Sequence, residues 1–380
     1  MVRTSQRQNL LGMLNNSIET DLMARALEPA LDNDKDVSSA ASLDTDARDD
    51  REEDEEMALL DLSQGQSAVG NPRGAFFRMS RPSFLQLCKQ VEDNPVFHNN
   101  SNHPQRPFRI SDGSVELYTN RCLMAILRLQ SPLVAWPSAT HRSDILEGFK
   151  EVGFDGCIGL IDGSLVVLST CPEKNGPDYY SRKGSYGIVT LLVCDQDKNI
   201  TYVYTGWPGC SHDQRLMANC ALTTSPTEFF SEGQYLLAES AFVPMENVVP
   251  AFRRPRNQPL TDEQHNFNRH LSGVCVTIEN CIGLWKNRFQ SLRGLRLRIA
   301  NKQDMVRAAA WIMACAVLHN HLNQGEDFEF EPDSPPAGKP DDPHGATDSP
   351  QTGQASAAGT QKQLWVLAQA RESRENGGSY

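Results

Sequence analysis

The sequence predicts a mixed α/β fold with one central sheet, and three observations support this prediction. Apolar runs of strand length, rich in β-branched residues, are concentrated between residues 157 and 237. Two long stretches in which apolar residues recur at helical spacing, 264–291 and 303–322, follow these runs. Both ends of the chain are acidic and polar. Strands followed by helices favour a single sheet flanked by helices.

The individual elements follow from local patterns along the chain. Pro82 and Ser83, followed by apolar residues up to Val91, indicate a helix start, and residues 111–129 form a second helical pattern. A short helix is predicted at 212–221. Strands are predicted at 157–170, 186–194, 200–205 and 235–237. We therefore expect a small helical region at 71–150 and the α/β domain at 151–324.

Charge is distributed unevenly along the 380 residues. The chain carries a net charge of −12, of which residues 1–70 carry −10 and residues 325–380 carry −6, so the segment 71–324 carries +4. A mildly basic core can approach a polyanion despite an overall pI of about 5.3, because charge acts locally over about 10 Å. Residues 1–70 and 325–380 are predicted to be disordered, acidic tails.

Cysteine usage and hydropathy argue against a secreted protein and against a membrane-spanning protein. The ten cysteines form no C-x-x-C pair, and no N-terminal stretch resembles a secretory signal, which is typical of a reduced, intracellular protein. The longest apolar helical stretch, 305–318, contains Arg307 and is shorter than the roughly 18 residues that a membrane span requires. No transmembrane segment is predicted.

Four acidic residues interrupt apolar runs and are candidate metal ligands. Asp162 lies inside a strand pattern, Asp213 follows a strand at a turn, Glu239 ends a strand, and Glu279 lies inside an apolar helix. Carboxylates that gather from distant elements are typical of sites that hold hard divalent cations for phosphodiester chemistry. The alternative for each residue is a helix cap, a turn or an ion pair.

A run of basic residues follows Glu279. Every charged residue from 280 to 303 is basic, which favours contact with a nucleic-acid backbone, although a solvated helix face is the alternative. His212 and His319 are interpreted as structural residues, because a lone histidine more often packs than catalyses. A zinc hydrolase built on His212 and Asp213 is disfavoured, since no second nitrogen or sulfur ligand lies at ligand spacing nearby.

Several motifs together resemble the Harbinger/PIF transposase-derived family of nucleases, whose catalytic part is a DDE superfamily endonuclease domain. The resemblance covers roughly residues 76–322 and is densest after Cys157. Its main strings are Leu160-Ile-Asp-Gly-Ser164, Tyr179-Tyr-Ser-Arg-Lys-Gly184, Gly206-Trp-Pro-Gly-Cys-Ser-His-Asp213, Tyr235-Leu-Leu-Ala-Glu-Ser-Ala-Phe242, Ile278-Glu-Asn-Cys-Ile-Gly283, Lys286-Asn-Arg-Phe-Gln-Ser-Leu-Arg-Gly-Leu295 and Leu318-His-Asn320.

The resemblance implies a ribonuclease H-like mixed sheet and assigns roles to individual residues. Asp162, Glu239 and Glu279 correspond to the catalytic carboxylates, and Asp213 is a fourth candidate ligand for Mg²⁺ or Mn²⁺. Glu239 departs from the family pattern, which has Asp at this position, and places its carboxylate one methylene further out. The residues expected to contact DNA are Arg182, Lys183, Lys286, Arg288, Arg293, Arg296 and Arg298.

The region before the sheet also departs from the family, which has a helix-turn-helix there. Residues from Ser111 resemble its recognition helix, but no equivalent of the preceding helix is recognised. We therefore interpret 71–150 as containing a truncated helix-turn-helix remnant, which disfavours autonomous sequence-specific DNA binding. The resemblance also implies a nuclear location and a separate Myb/SANT-like protein that targets the nuclease to DNA.

The predicted function is hydrolysis of DNA phosphodiester bonds by a divalent-metal-dependent endonuclease, with transfer of the freed end at the same site. The alternative is a domesticated or decayed nuclear protein that keeps the fold and binds DNA or a partner without cutting. Glu239 and the shortened upstream region favour this alternative. The sequence leaves open the DNA sequence recognised and the oligomeric state.

Overall fold

The computed structural model describes residues 79–92, 94, 112–254, 258–324 and 356–375. The predicted acidic tail at 1–70 lies outside these residues, as does the part of the second tail between 325 and 355. No helix in the described ranges is both long and apolar enough to cross a membrane.

A five-stranded mixed sheet forms the centre of the domain. Its strands are β1 (Cys157–Val167), β2 (Gly187–Cys194), β3 (Ile200–Pro208), β4 (Tyr235–Ala238) and β5 (Val248–Pro250). The strand order is β3-β2-β1-β4-β5. β1 and β3 are antiparallel to β2, whereas β4 is parallel to both β1 and β5. This arrangement confirms the predicted α/β class and its ribonuclease H-like sheet.

Helices flank this sheet and also precede it in the chain. The helices are α1 (Arg81–Val91), α2 (Asp112–Leu127), α3 (Gln130–Leu133), α4 (Ala139–Glu151), α5 (Gly176–Tyr179), α6 (Asp213–Met217), α7 (Ala221–Thr224), α8 (Pro226–Phe229), α9 (Asp262–Arg288), α10 (Lys302–Asn323) and α11 (Ala357–Glu375), with a 3₁₀ turn at Gln290–Arg293. α1 to α4 agree with a helical region before the sheet, while its relation to a helix-turn-helix stays a prediction.

Capping boxes fix where the two long helices begin. The Thr261 side chain accepts a hydrogen bond from the backbone of Gln264, whose own side chain bonds back to Thr261, at the start of α9. Asn301 and Asp304 form the same reciprocal pair at the start of α10. Each box satisfies amide groups that the first helical turn leaves without a partner.

The two faces of the sheet pack against different helices. Leu160 and Val166 of β1 join the larger core with residues of α9 and α10, whereas Ile161 of the same strand joins a smaller core that includes Leu216 of α6. Successive side chains of a strand point to opposite faces. Asp162 therefore shares the α9 face with Leu160 and Val166.

The C-terminal tail contains a helix, which corrects the prediction that residues 325–380 are disordered. α11 covers β5, where the side-chain amide of Gln363 donates to the Pro250 carbonyl over 2.7 Å and Val366 is buried in the larger core. Gly359 lets the helix approach the backbone of Pro244 and Met245, because a side chain there would overlap it. The sequence did not predict this helix because its apolar run, from Leu364 to Leu367, is short and lies within a polar segment.

Candidate active site

Asp162 and Glu239 lie at neighbouring positions on two adjacent strands. The parallel pairing of β1 and β4 ends with Ile161 beside Ala238, so the next residue of each strand is one of these two acids. Parallel strands are about 4.8 Å apart. Both residues are half-buried. Two carboxylates that are 77 positions apart in sequence are thus brought side by side, one at the middle of β1 and one directly after the end of β4.

Asp213 lies on the other face of β1. A Cβ atom at Gly163 would sit 2.8 Å from Oδ2 of Asp213 and closer still to its Oδ1, so the carboxylate fills the space over the glycine. Burial raises the pKa of Asp213; the nearby Lys183 ammonium lowers it, and the Glu239 carboxylate raises it. Asp213 therefore reaches the same part of β1 as Asp162, but from the α6 side.

Glu279 approaches from α9 and is exposed. Cys275 lies one helical turn before it and is buried. Burial raises the pKa of the Cys275 thiol, and the negative charges of Glu239, Asp162 and Glu279 act in the same direction. Cys275 is therefore a buried neighbour of these three acids, and sequence reasoning did not identify it.

Lys286 reaches the same strand from α9. Its ammonium group donates to the carbonyl of Leu165 over 2.8 Å. Burial lowers the pKa of Lys286 to about 8, with further lowering by Lys183 and Arg293, while Asp162 opposes the shift. Lys183 is exposed. Two lysines from different elements therefore flank the acidic cluster with positive charge.

The donor atoms suit a hard divalent cation, although the protein does not provide a complete cage. Within the described ranges, no group of three or more His, Cys, Asp or Glu side chains is arranged to hold a metal ion. Mg²⁺ typically binds through one or two carboxylates, and water and substrate phosphate complete the octahedron. The adjacent pair Asp162 and Glu239 meets that requirement.

The basic residues predicted to contact DNA have different environments. The Arg182 guanidinium donates to Nε2 of His212 over 2.9 Å, and Arg298 pairs with Glu173. Arg293 is exposed and bonds the side chain of Asn287, and Arg296 is also exposed. Lys183 lies near Asp213, Lys286 lies near Asp162, and Arg293 lies near Lys286, so the structure gathers only part of the predicted basic set at the cluster.

Arg288 has a structural environment instead. Its guanidinium donates to Nδ1 of His319 over 3.1 Å and to Oδ1 of Asn323 over 2.7 Å, which joins α9 to α10. His319 is completely buried, in agreement with its interpretation as a packing residue. For His212, burial and the adjacent Arg182 both lower the pKa of the imidazole. A neutral His212 is expected near pH 7.

Comparison with known proteins identifies the segment that carries this cluster. A family model described as DDE superfamily endonuclease matches residues 161–320. Residues 161–320 are a DDE superfamily endonuclease domain. The endonuclease domain begins one residue before Asp162 and ends at Asn320, so it includes all four candidate acids and every basic residue predicted to contact DNA.

Curated relatives extend the match beyond the endonuclease domain. The mouse protein named "Putative nuclease HARBI1" is 26% identical over 238 residues, covering 60% of this chain and 66% of the relative. Its human counterpart is 24% identical over 234 residues, covering 61% and 65%. The Arabidopsis thaliana "Protein ALP1-like" is 21% identical over 210 residues, covering 51% and 49%. The chain thus spans about two thirds of the HARBI1 proteins. No solved structure matches it.

Proposed function

We propose that this protein is a divalent-metal-dependent nuclease that hydrolyses DNA phosphodiester bonds. The observation that carries the proposal is the position of Asp162 and Glu239 side by side on parallel strands of a DDE endonuclease domain. Glu279 on α9 and Asp213 on α6 approach this pair from opposite faces of the sheet. The nuclease names of the HARBI1 relatives support this activity over a protein that only binds DNA.

Asp162 and Glu239 would hold Mg²⁺ or Mn²⁺ as the central pair, and Asp213 and Glu279 are proposed as further ligands that would have to move toward the bound metal. Bound metal would supply Lewis-acid stabilisation of the charge that develops on the phosphate and would activate the attacking water. Burial and the neighbouring Glu239 make the charged form of Asp213 costly in the free protein. A cation at this position would offset that cost.

The residues of the chain itself bind and orient the DNA backbone. Lys286 keeps its positive charge at neutral pH, because its pKa of about 8 lies above 7. The Leu165 carbonyl fixes its ammonium group, so the charge is held in place before substrate arrives. Lys183, Arg293 and Arg296 add exposed positive charge for phosphate contacts outside the cleaved bond.

Glu239 is compatible with activity in this arrangement. The extra methylene is the single change from the Asp that the family pattern has, and the strand register still brings the residue beside Asp162. Transfer of the freed 3′ end to a new DNA site would use the same carboxylates. A nuclear location and a separate Myb/SANT-like targeting partner belong to this proposal through the family resemblance.

The deciding experiment is plasmid nicking by the full chain in Mg²⁺, in Mn²⁺ and in EDTA. Asp162→Asn and Glu239→Gln are expected to reduce nicking by roughly 100- to 1,000-fold, since each removes a carboxylate that would hold the metal stabilising the transition state. Glu239→Asp restores the family residue and is expected to keep activity. Glu232→Gln changes an exposed acid before β4 and serves as the control.

Two results would contradict the proposal. One is nicking by the wild type at the same rate in EDTA as in Mg²⁺ or Mn²⁺. The other is a wild type that binds DNA and nicks it in neither metal. The melting temperature of each variant is measured alongside its nicking activity. An inactive variant that melts like the wild type has lost the site, whereas one that melts much earlier has lost the fold.

A further inference from the structure

The loop between β1 and β2 contains a small hairpin next to the acidic cluster. Tyr180 and Tyr186 form an antiparallel bridge, and we call residues 180–186 the tyrosine hairpin. The Ser181 amide donates to the Ser185 carbonyl over 2.9 Å, and the Gly184 amide donates to the Ser181 carbonyl over 3.1 Å. Gly184 has a φ of 74°, which favours glycine at the turn. The hairpin is therefore closed and ordered by its own backbone.

Tyr180 is the more exposed of the two tyrosines of the hairpin. Their centroids are 5.2 Å apart in an edge-to-face arrangement. Tyr180 is 51% exposed, whereas Tyr179 immediately before it is buried. An aromatic ring that contacts a neighbouring ring and is half open to solvent provides a fixed apolar surface.

Direct contacts place the tyrosine hairpin beside the candidate active site. Arg182 at its tip donates to His212, the residue immediately before Asp213. The amide of Cys210 donates to the Asp178 carbonyl over 2.9 Å, which ties the segment before the hairpin to the approach to α6. Lys183 is close enough to both Asp213 and Lys286 that its positive charge lowers the pKa of each. The hairpin thus combines an open ring with two basic residues at the edge of the acidic cluster.

An exposed aromatic ring next to phosphate-binding charge fits an unpaired nucleotide. In a duplex the faces of each base are occupied by stacking, so a protein ring can reach them only where a base is unpaired or displaced. Lys or Arg beside the ring holds the backbone of the same nucleotide. We propose that the tyrosine hairpin stacks an unpaired DNA base next to the cleaved phosphate, with Tyr180 as the stacking surface and Lys183 on the backbone.

This inference rests on the proposed nuclease function, because it names the form of DNA that the same site takes. It predicts that the domain prefers DNA with an unpaired nucleotide at the cleaved bond, such as a frayed or flapped end. The ordered turn reduces the entropy that stacking would otherwise cost. Tyr180 is a positioning residue in this scheme, since it does not hold the reacting atoms.

Fluorescence of 2-aminopurine tests the stacking directly. The full chain is titrated in EDTA, where no cleavage is expected, into a single strand of about 12 nucleotides with 2-aminopurine at its centre, and into the duplex of the same sequence. The wild type and Tyr180→Phe are expected to quench the single-stranded probe. Tyr180→Ala and Tyr180→Leu are expected to bind it roughly 10- to 100-fold more weakly, with little change for the duplex.

Tyr180→Leu keeps a large apolar side chain but has no aromatic ring. A loss of quenching in this variant would therefore show that binding depends on the ring itself. Phe84→Ala is the matched control, because Phe84 is also exposed but lies on α1. Equal losses on single strand and duplex, quenching that survives Tyr180→Ala, or no binding of the single strand by the wild type would each overturn the inference.

Nicking assays on the same proteins separate this inference from the nuclease proposal. Asp162→Asn is expected to lose nicking and keep quenching. Nicking by the wild type without any Tyr180-dependent quenching would refute the stacking role alone. Tyr180-dependent quenching by a wild type that nicks in neither metal would support stacking and refute the nuclease.

Discussion

Replacing Gly163 by alanine tests the position of Asp213 directly. The added Cβ would lie 2.8 Å from Oδ2 of Asp213 and closer to Oδ1 and Cγ, whereas ordinary contact begins at 3.4 Å. Oδ2 alone would have to move by about 0.6 Å, and the carboxylate as a whole must move further because Oδ1 and Cγ overlap more. Backbone strain does not contribute, because Gly163 is not among the glycines with positive φ.

The size of the effect follows from this overlap. Overpacking a buried site costs about 1–3 kcal/mol, so the free energy of unfolding should fall by that amount. A catalytic group displaced by about 1 Å can lose roughly 100-fold in rate, and nicking should fall accordingly. Gly273→Ala is the control, because nothing lies within 4 Å of a Cβ at this position of α9. It should stabilise the helix by about 0.5–1 kcal/mol.

Urea unfolding and plasmid nicking measure the two consequences. Removing the obstructing side chain should relieve the overlap, so Gly163→Ala should cost much less stability in an Asp213→Ala background than in the wild type. If the effects of the two substitutions simply add, or if Gly163→Ala is as stable and active as the wild type, the carboxylate does not lie over Gly163 and the reasoning fails.

Three further predictions concern the elements around the site. Asn320→Ala removes side-chain bonds to both backbone groups of Ile200 and to the Leu133 carbonyl, so urea unfolding should show a loss of about 2–4 kcal/mol. Arg288→Gln should destabilise the fold and leave the salt dependence of DNA binding unchanged. Arg296→Gln should instead leave the stability unchanged and reduce the magnitude of the slope of log K for DNA binding against log salt concentration by about 0.9. In EDTA, the unfolding free energy of the wild type should rise relative to that of Lys286→Met as pH increases from about 8 to 10.5. The reason is that the folded state binds the Lys286 proton less tightly than the unfolded chain does. A difference between the two proteins that stays constant over this pH range would contradict the lowered pKa of Lys286.

The long elements of the fold could be predicted from sequence because their patterns are local. β2 and α10 are continuous apolar runs with strong propensity, and their bounds differ little from the predicted ones. β5 was missed because it has three residues and ends at Pro250. α4 was missed because only Ile145 and Phe149 are buried along its 13 residues, which leaves a weak helical pattern.

The site could be predicted in part for the same physical reason. An acid inside an apolar strand is visible in the sequence, so Asp162 stands out without a structure. Glu239 also stands out at the end of a strand, but its position beside Asp162 becomes visible only through the parallel register of β1 and β4, which depends on long-range pairing. That Asp213 approaches from the opposite face follows from the path of α6 over Gly163, which no local pattern encodes.

The basic run shows why sequence spacing alone misjudges a surface. Lys286 and Arg288 are two residues apart on α9, and each residue turns a helix by about 100°. Lys286 therefore faces β1, while Arg288 faces α10. Two basic residues that are close in sequence thus have different positions: Lys286 lies near the acids, and Arg288 lies in the junction between α9 and α10.

The contact of α11 with β5 affects how the endonuclease domain can be isolated. A fragment that ends near residue 324, where both the composition and the family match place the end of the domain, would lose the helix whose Gln363 and Lys362 satisfy the Pro250 and Gly233 carbonyls. It would also uncover the outermost strand of the sheet. An uncovered edge strand can pair with the same strand of another molecule, so such a fragment is expected to aggregate. The folded unit that contains the candidate active site is therefore expected to extend at least to residue 375.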